Sequence, residues 1–307
     1  MVPADGSHPY VVRRPSESTF LTIRGLRYHV RRWGSPEWVR PESPALVMLH
    51  GWMDVGASFQ FVVDAMVSPR YVLAPDWRGF GLSQAASSDS YWFADYLGDL
   101  DALLDELLPG QQVDLLGHSM GGNVAMLYAG IRPQRIRRLV NLEGFGLPAS
   151  QPDHAPKHYA AWLDELKMPQ SLHPYPSLEA VAQRLRRNNP LLRPELAAWL
   201  APHWARQRDD GWWEILADPA HKRRHAVLYR KEEALACWTA ITAPVLWVEG
   251  DRTDMARWWG QRYSRAEFEE RLQVVRQLQR RVLSPAGHML HHDQPEALAA
   301  HLEAFLR

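Results

Sequence analysis

The chain has a single cysteine, Cys237, in 307 residues. That excludes an intramolecular disulfide framework and a zinc site built on several thiolates, and it fits a reducing compartment. It also lacks a surplus of either charge, with 35 Lys and Arg against 35 Asp and Glu. Without a basic excess, nucleic acid is not an expected partner. No uncharged apolar run approaches the ~18 residues that a transmembrane helix needs, so no membrane span is expected. The stretch from Met1 to Pro15 carries three prolines, several charges and no apolar core of the kind a secretory signal requires. These absences point to a soluble, cytoplasmic protein. What is present is ordinary for a folded chain: 46% hydrophobic and 23% charged residues suffice for a large core and argue against disorder. Tryptophan is the exception. There are 14, and Trp162, Trp199, Trp204, Trp212, Trp213 and Trp238 fall in one stretch.

Residues 1–17 read as a flexible tail. From Phe20 to Trp33 apolar and polar residues alternate around Gly25, the pattern of two antiparallel strands joined by a glycine turn. Ala45–Leu49, Tyr71–Ala74, Val113–Leu116 and Leu139–Leu142 are short, continuous apolar runs, expected of strands buried on both faces. Between them lie an expected helix over Ala57–Met66, an amphipathic helix over Tyr91–Leu108 that stops at Pro109 and Gly110, and a small-residue helix over Met120–Ala129. Strands alternating with helices at this spacing specify a parallel sheet covered on both sides. From about Phe145 to Trp238 the alternation stops, and helical segments follow one another across proline-rich turns without an intervening strand. The rhythm resumes with Val245–Val248, a charged helix over Ser264–Leu278, a strand near Arg281–Leu283 and a helix over Pro295–Leu306. The expected organisation is therefore an α/β core of residues 18–144 and 241–307 with a helical cap at 145–240. The arginine pairs Arg186/Arg187 and Arg223/Arg224 read as solvated faces.

The most informative segment is DLLGHSMGG, where Gly117, Ser119 and Gly121 form G-x-S-x-G between an expected strand and an expected helix. A serine there sits on a strained turn with its hydroxyl exposed, and the glycines avoid collisions with neighbouring backbone. A glycine-rich turn with an incidental serine is the plainer alternative, which the strand and helix context disfavours. A serine nucleophile needs a base and an orienting acid. Chain order points to a late histidine after the last strand, and His288 in SPAGHML fills that place. His288, His291 and His292 also admit a metal reading, weakened by the lack of clustered carboxylates or cysteines, and no metal or cofactor is expected. His118 is expected to pack beneath the turn. Three carboxylates satisfy the order for the acid: Asp254, the preferred choice, Asp251, and Glu143 at the end of the Leu139–Leu142 strand. Their plainer roles are a helix cap before Met255 for either aspartate, and bonds to the loop amides of Gly144 and Gly146 for Glu143. Oxyanion donors are expected from the backbone N–H groups of Trp52, in His50-Gly51-Trp52, and Met120. In PDWRGFGLS, residues Asp76, Arg78, Gly79, Gly81 and Ser83 are read as fixing the loop's shape.

HGW at 50–52, DWRGFGLS at 76–83, GHSMG at 117–121 and AGH at 286–288 together resemble the α/β-hydrolase superfamily with a helical cap, and HGWMDVGASF is similar to its serine-hydrolase-like branch. The resemblance implies an α/β fold with an eight-stranded, mostly parallel sheet, a cap inserted after the sixth strand, and a cofactor-independent triad at the carboxyl ends of the strands. Epoxide hydrolases and haloalkane dehalogenases of this superfamily carry aspartate where Ser119 stands, so the hydroxyl favours an acyl-enzyme route. The leading expectation is carboxylic ester hydrolysis of a small molecule with an apolar acyl or aromatic part, the cap tryptophans either lining its pocket or packing the lid. C–C bond hydrolysis, amide hydrolysis or acyl transfer would use the same groups, and a binding protein on this fold is the rival from another class. Oligomeric state is left open.

Overall fold

The structure, a computed structural model, describes residues 8–307. Its centre is set by period-two alternation in the apolar runs. In Leu46–Leu49, Val113–His118 and Val245–Gly250, successive side chains fall into two separate cores: Val47, Leu49, Leu115, Val245 and Trp247 on one side, and Leu46, Met48, Leu116, Leu246 and Val248 on the other. Alternating side chains point to opposite faces of a strand, so a sheet with both faces apolar must be covered on both.

The strands are β1 (Glu17–Ile23), β2 (Leu26–Trp33), β3 (Leu46–Leu49), β4 (Val72–Pro75), β5 (Val113–His118), β6 (Ile136–Leu142), β7 (Ala205–Gln207), β8 (Trp213–Ile215), β9 (Val245–Gly250) and β10 (Leu278–Leu283). Eight of them form one sheet in the order β1-β2-β4-β3-β5-β6-β9-β10. All neighbours from β4 to β10 in that order are parallel, while β2 is antiparallel to both β1 and β4. The fold is therefore an α/β-hydrolase fold with a mostly parallel eight-stranded sheet. The helices are α1 (Gln60–Ala65), α2 (Phe93–Leu107), α3 (Met120–Ile131), α4 (Ala155–Leu166), α5 (Leu178–Asn188), α6 (Pro194–Trp204), α7 (Lys231–Thr239), α8 (Ala256–Trp259), α9 (Arg265–Leu272), α10 (Leu290–Asp293) and α11 (Pro295–Phe305). Phe59, Val62, Leu298, Leu302 and Phe305 pack α1 and α11 on one face of the sheet, whereas Leu100, Leu104, Val124 and Tyr128 bring α2 and α3 to the other.

Two expectations change. Between β6 and β9 the chain is mostly helical, but it also holds the antiparallel ribbon β7–β8, whose three-residue strands are too short to show a period. The tail is not loose over its described part. Tyr10 donates to Asp64 on α1 and stacks edge-on against Phe61 and Trp199, and the Asp64 carboxylate accepts the N–H groups of Arg13 and Arg14 at 3.0 and 2.6 Å. Residues 1–7 of the expected tail lie outside the described residues.

The PDWRGFGLS loop is held by two buried carboxylates. Asp76 accepts from Gly56 N–H, Leu82 N–H and His29 Nδ1 at 2.7, 2.9 and 2.7 Å. Arg78 grips Asp99 on α2 through two bonds of 2.5 Å, and Tyr28 donates to the same carboxylate at 2.6 Å. Gly81 has φ +55°, and a Cβ there would lie 2.2 Å from Asp76 Oδ2, so only glycine fits.

Candidate active site

Ser119 stands between β5 and α3 with φ 52° and ψ −115°, a left-handed conformation that a side chain adopts only under strain. The strain is held in place because the turn cannot relax sideways. A Cβ on Gly117 would fall 2.2 Å from Gly121 O, and one on Gly121 would fall 2.2 Å from Leu49 O, so helix α3 presses directly onto the strand ends. Gly51 approaches from the other side, where a Cβ would be 3.2 Å from Ser119 Cβ. The backbone after β3 and the first turn of α3 thus flank one hydroxyl, which places the Trp52 and Met120 segments beside it.

His288 lies in the loop between β10 and α10. Its Nε2 is 3.0 Å from Ser119 Oγ, and its Nδ1 is 2.8 Å from Glu143 Oε2. Glu143 is buried just past the end of β6, with φ 55°. Its other oxygen, Oε1, accepts Gly250 N–H and the Thr253 hydroxyl, each at 2.7 Å. A carboxylate so held fixes the imidazole with its proton on Nδ1 and a lone pair on Nε2 facing serine. His118, beneath the turn, donates Nε2–H to the carbonyl of His288 at 2.8 Å and so anchors that loop. The Trp258 ring meets the His288 ring edge-on at 4.5 Å. Burial acts on both partners: it pushes the Glu143 carboxyl up from its ordinary 4.5 to about 8, against the pull of the Gly250 and Thr253 donors, and it depresses His288 to about 4.

The geometry sets Glu143 against the His288 ring, and neither Asp254, the preferred candidate, nor Asp251. Asp254 is exposed and caps the single turn α8, accepting Ala256 N–H at 2.9 Å. Asp251 accepts the Ser284 hydroxyl at 2.6 Å and Ala286 N–H at 2.9 Å, and the hydroxyl bond holds its carboxyl below the usual range. Both aspartates therefore serve the loops around His288 rather than its ring. Nor does Glu143 bond the glycine amides that follow it: Asn141 takes Gly144 N–H and Asn123 takes Gly146 N–H, both at 2.8 Å. Thr253 and Gly250, which orient Glu143, carried no motif of their own.

Beneath the serine turn, Asp54, His118 and His291 are buried with donor atoms within 4.8 Å of one another. A tetrahedral zinc ion holds ligands at ~2.0–2.1 Å, hence ~3.4 Å apart, so this group as it stands is too open to grip one. His288 is not part of it, since both its ring nitrogens are engaged by Ser119 and Glu143.

A cavity of about 950 Å³ opens over Ser119 and His288. Chemically, a hydroxyl bonded to an imidazole that is bonded in turn to a carboxylate is an arrangement for activating a nucleophile.

Residues 44–295 match the alpha/beta hydrolase fold family. The chain belongs to that family. A serine hydrolase-like protein of Dictyostelium discoideum is 23% identical over 295 residues, covering 92% of this chain and 79% of that protein. A cis-3-alkyl-4-alkyloxetan-2-one decarboxylase of Shewanella oneidensis is 32% identical over 142 residues, 45% of this chain and 42% of that protein. Among solved structures, the thioesterase domain from the curacin biosynthetic pathway superposes with a TM-score of 0.81 at 27% identity, covering 94% of this chain and 99% of that domain. The chain is thus an enzyme-type hydrolase fold, and among its described residues no helix is long and apolar enough to cross a membrane.

The two roles open to the cap tryptophans divide unevenly. Of the six tryptophans between β6 and β9, Trp204 alone lines it, joined by Trp52, Trp258 and Trp259 from loops of the core. Trp199 packs against Tyr10 and Phe61 and Trp238 is buried, so these two hold the helical segment in place.

Proposed function

We propose that this protein is a serine hydrolase that cleaves a carboxylic ester through an acyl-enzyme, with Ser119 as nucleophile, His288 as base and acid, and Glu143 as the orienting carboxylate. The observation that carries the reading is the unbroken hydrogen-bonded chain from Ser119 Oγ through His288 to Glu143. Ser119 Oγ attacks the substrate carbonyl while its proton passes to His288 Nε2. The tetrahedral oxyanion is met by the N–H groups of Trp52 and Met120, the latter at the positive end of α3. Collapse expels the alcohol, which takes the proton from His288 and leaves an acyl group on Ser119. A water molecule then gives its proton to His288, attacks the acyl carbon, and releases the acid and free serine. Glu143 stabilises the imidazolium formed in each half and keeps its tautomer. Removing one oxyanion donor costs about 3 kcal/mol in such sites. Residues 145–240 serve as the cap, with Trp204, Leu185, Leu191 and Leu192 giving the chamber an apolar wall beside its polar groups.

The test is labelling with a fluorophosphonate probe. Wild type gains one adduct on Ser119 and hydrolyses short p-nitrophenyl esters, while Ser119→Ala does neither. An unlabelled wild type with no esterase activity would favour a binding role on this fold.

A further inference from the structure

Arginine is concentrated around the cavity in a way the overall charge balance does not require. Arg184 and Arg187 reach it from α5, and Arg252 and Arg257 reach it from the segment after β9. Elsewhere in the molecule arginines are commonly spoken for, as in Arg78 with Asp99, Arg70 and Arg137 with Asp114, or Arg265 and Arg280 with Glu269. Among the described residues none of the four cavity arginines has a carboxylate within 4.0 Å, the distance that defines the ion pairs found elsewhere. The acidic groups of the lining face other partners: Asp54 is buried against His291, Glu143 is bonded to His288, and Asp254 accepts Ala256 N–H. Arg187, Arg252 and Arg257 are exposed and Arg184 is half-buried, so an anion entering the cavity meets guanidinium groups that no carboxylate within 4.0 Å has already engaged.

Arg184 shows that the arrangement is built rather than merely solvated. Its guanidinium lies over the Trp204 ring, 5.9 Å from the centroid, and its Nη1 is buried without a hydrogen-bond partner among the described residues. A stacked guanidinium keeps its edge free, and that edge is the part that pairs with both oxygens of a carboxylate or phosphate. The Arg184 side chain is half-buried at the cavity wall, and a rotation of its guanidinium would turn the unpartnered N–H towards an acceptor delivered by a ligand, which removes the cost of leaving it unpaired.

Resting on the hydrolase reading above, we propose that the substrate carries an oxyanion group, separated from its scissile carbonyl, that is clamped between Arg184 on α5 and Arg252 on the core. Such a group is held from both walls of the chamber, which sets how far the chain can advance towards Ser119.

The experiment compares kcat/KM for paired esters in wild type, Arg184→Gln, Arg252→Gln and the double variant. One arm sets p-nitrophenyl hemiglutarate against p-nitrophenyl valerate and places the charge on the acyl side. The other sets 4-carboxyphenyl butyrate against phenyl butyrate and places it on the leaving group. Taking the ratio within each pair and comparing it across variants cancels the intrinsic reactivity of the esters. The expected result is a fall in the anionic-to-neutral ratio of about tenfold or more in one arm, appearing mainly in KM, and a smaller wild-type ratio as NaCl is added. Arg186→Gln, which removes the same charge from α5 outside the cavity lining, leaves the ratio at the wild-type value. A ratio unaltered by the double variant in both arms, with the neutral esters still turned over, overturns the clamp and leaves the hydrolase reading standing. If no ester is turned over and Ser119 takes no label, the hydrolase reading fails and the clamp fails with it.

Discussion

Replacing Glu143 by glutamine changes one oxygen for one nitrogen and is expected to move activity and stability in opposite directions. Oε1 of Glu143 accepts two donors, Gly250 N–H and the Thr253 hydroxyl, so the glutamine oxygen must stay on that side. Its amide nitrogen then faces His288 Nδ1, now 2.8 Å from the carboxylate, and donates to it. That forces the ring proton onto Nε2, which points at Ser119 and no longer has a lone pair to receive the serine proton. A wrong tautomer of this kind costs on the order of 10⁴ in kcat, about 5 kcal/mol of barrier. Stability goes the other way. Burial raises the Glu143 pKa from 4.5 to about 8, so the native state holds this proton more tightly than the unfolded chain does. The stabilisation is complete below pH 4.5 and is lost as pH rises through 8, with a ceiling of about 5 kcal/mol. The glutamine side chain never ionises and loses nothing. Thermal melts should therefore give matching Tm values near pH 4 and a higher Tm for the variant at pH 9, while p-nitrophenyl ester turnover collapses. Asp254→Asn and Asp251→Asn are the comparison. If Asp254→Asn alone lost activity on that scale and Glu143→Gln retained it, the assignment of the acid would be wrong.

Three further outcomes follow from the same geometry. Because the carboxyl of Glu143 gives up its proton only near pH 8 and His288 must present a free Nε2, kcat/KM should climb with pH through the neutral range, the inflection belonging to the pair. A profile flat from pH 6 to 9 contradicts this. Gly121→Ala sets a Cβ 2.2 Å from the Leu49 carbonyl and should cost at least ~3 kcal/mol of stability or leave the protein insoluble; a variant that melts within a degree of wild type would mean that α3 can shift. Arg78→Met strips the bidentate partner from buried Asp99 and leaves it Arg24 Nη1 at 3.0 Å and the Tyr28 hydroxyl at 2.6 Å, so the loss should stay at or below about 3 kcal/mol, to be read from urea unfolding midpoints, and an unchanged midpoint would show that Tyr28 and Arg24 suffice.

The strands at the centre of the sheet were legible because each is a continuous apolar run with punctuation at both ends, and Gly-x-Ser-x-Gly between two such elements leaves little freedom for Ser119. Boundaries were less so. Ala57–Met66 reads as one helix, yet it begins as a tight turn over Gly56–Phe59 before α1, and the charged run expected to be helical from Ser264 to Leu278 ends as α9 at Leu272, with β10 starting at Leu278. The acid was narrowed to three carboxylates and not to one. Asp251, Asp254 and Glu143 all follow strand ends, and a linear sequence does not say which way each side chain turns. The deciding quantity is a backbone angle: φ of 55° at Glu143 accompanies a carboxylate aimed along the sheet edge at His288, and the only written trace of it is the flanking Asn141, Gly144 and Gly146. Arg187 was read as part of a solvated face, and its orientation towards the chamber, unlike that of Arg186, is set by helix phase against the rest of the fold.

Anchoring the imidazole from β6 has a consequence for how the molecule can diversify. Arg252, Arg257, Trp258 and Trp259 all sit on the segment after β9, and among the described residues Thr253 is the one of that segment that hydrogen-bonds Glu143. If the proposed roles hold, the core's share of recognition and the proton handling belong to different strands. Under that proposal the cavity-lining charges after β9, Arg252 and Arg257, can be exchanged for another guest, provided the Gly250 amide, the Thr253 hydroxyl, the Asp251 carboxylate that holds Ser284 and Ala286, and the Trp258 ring against His288 stay where they are.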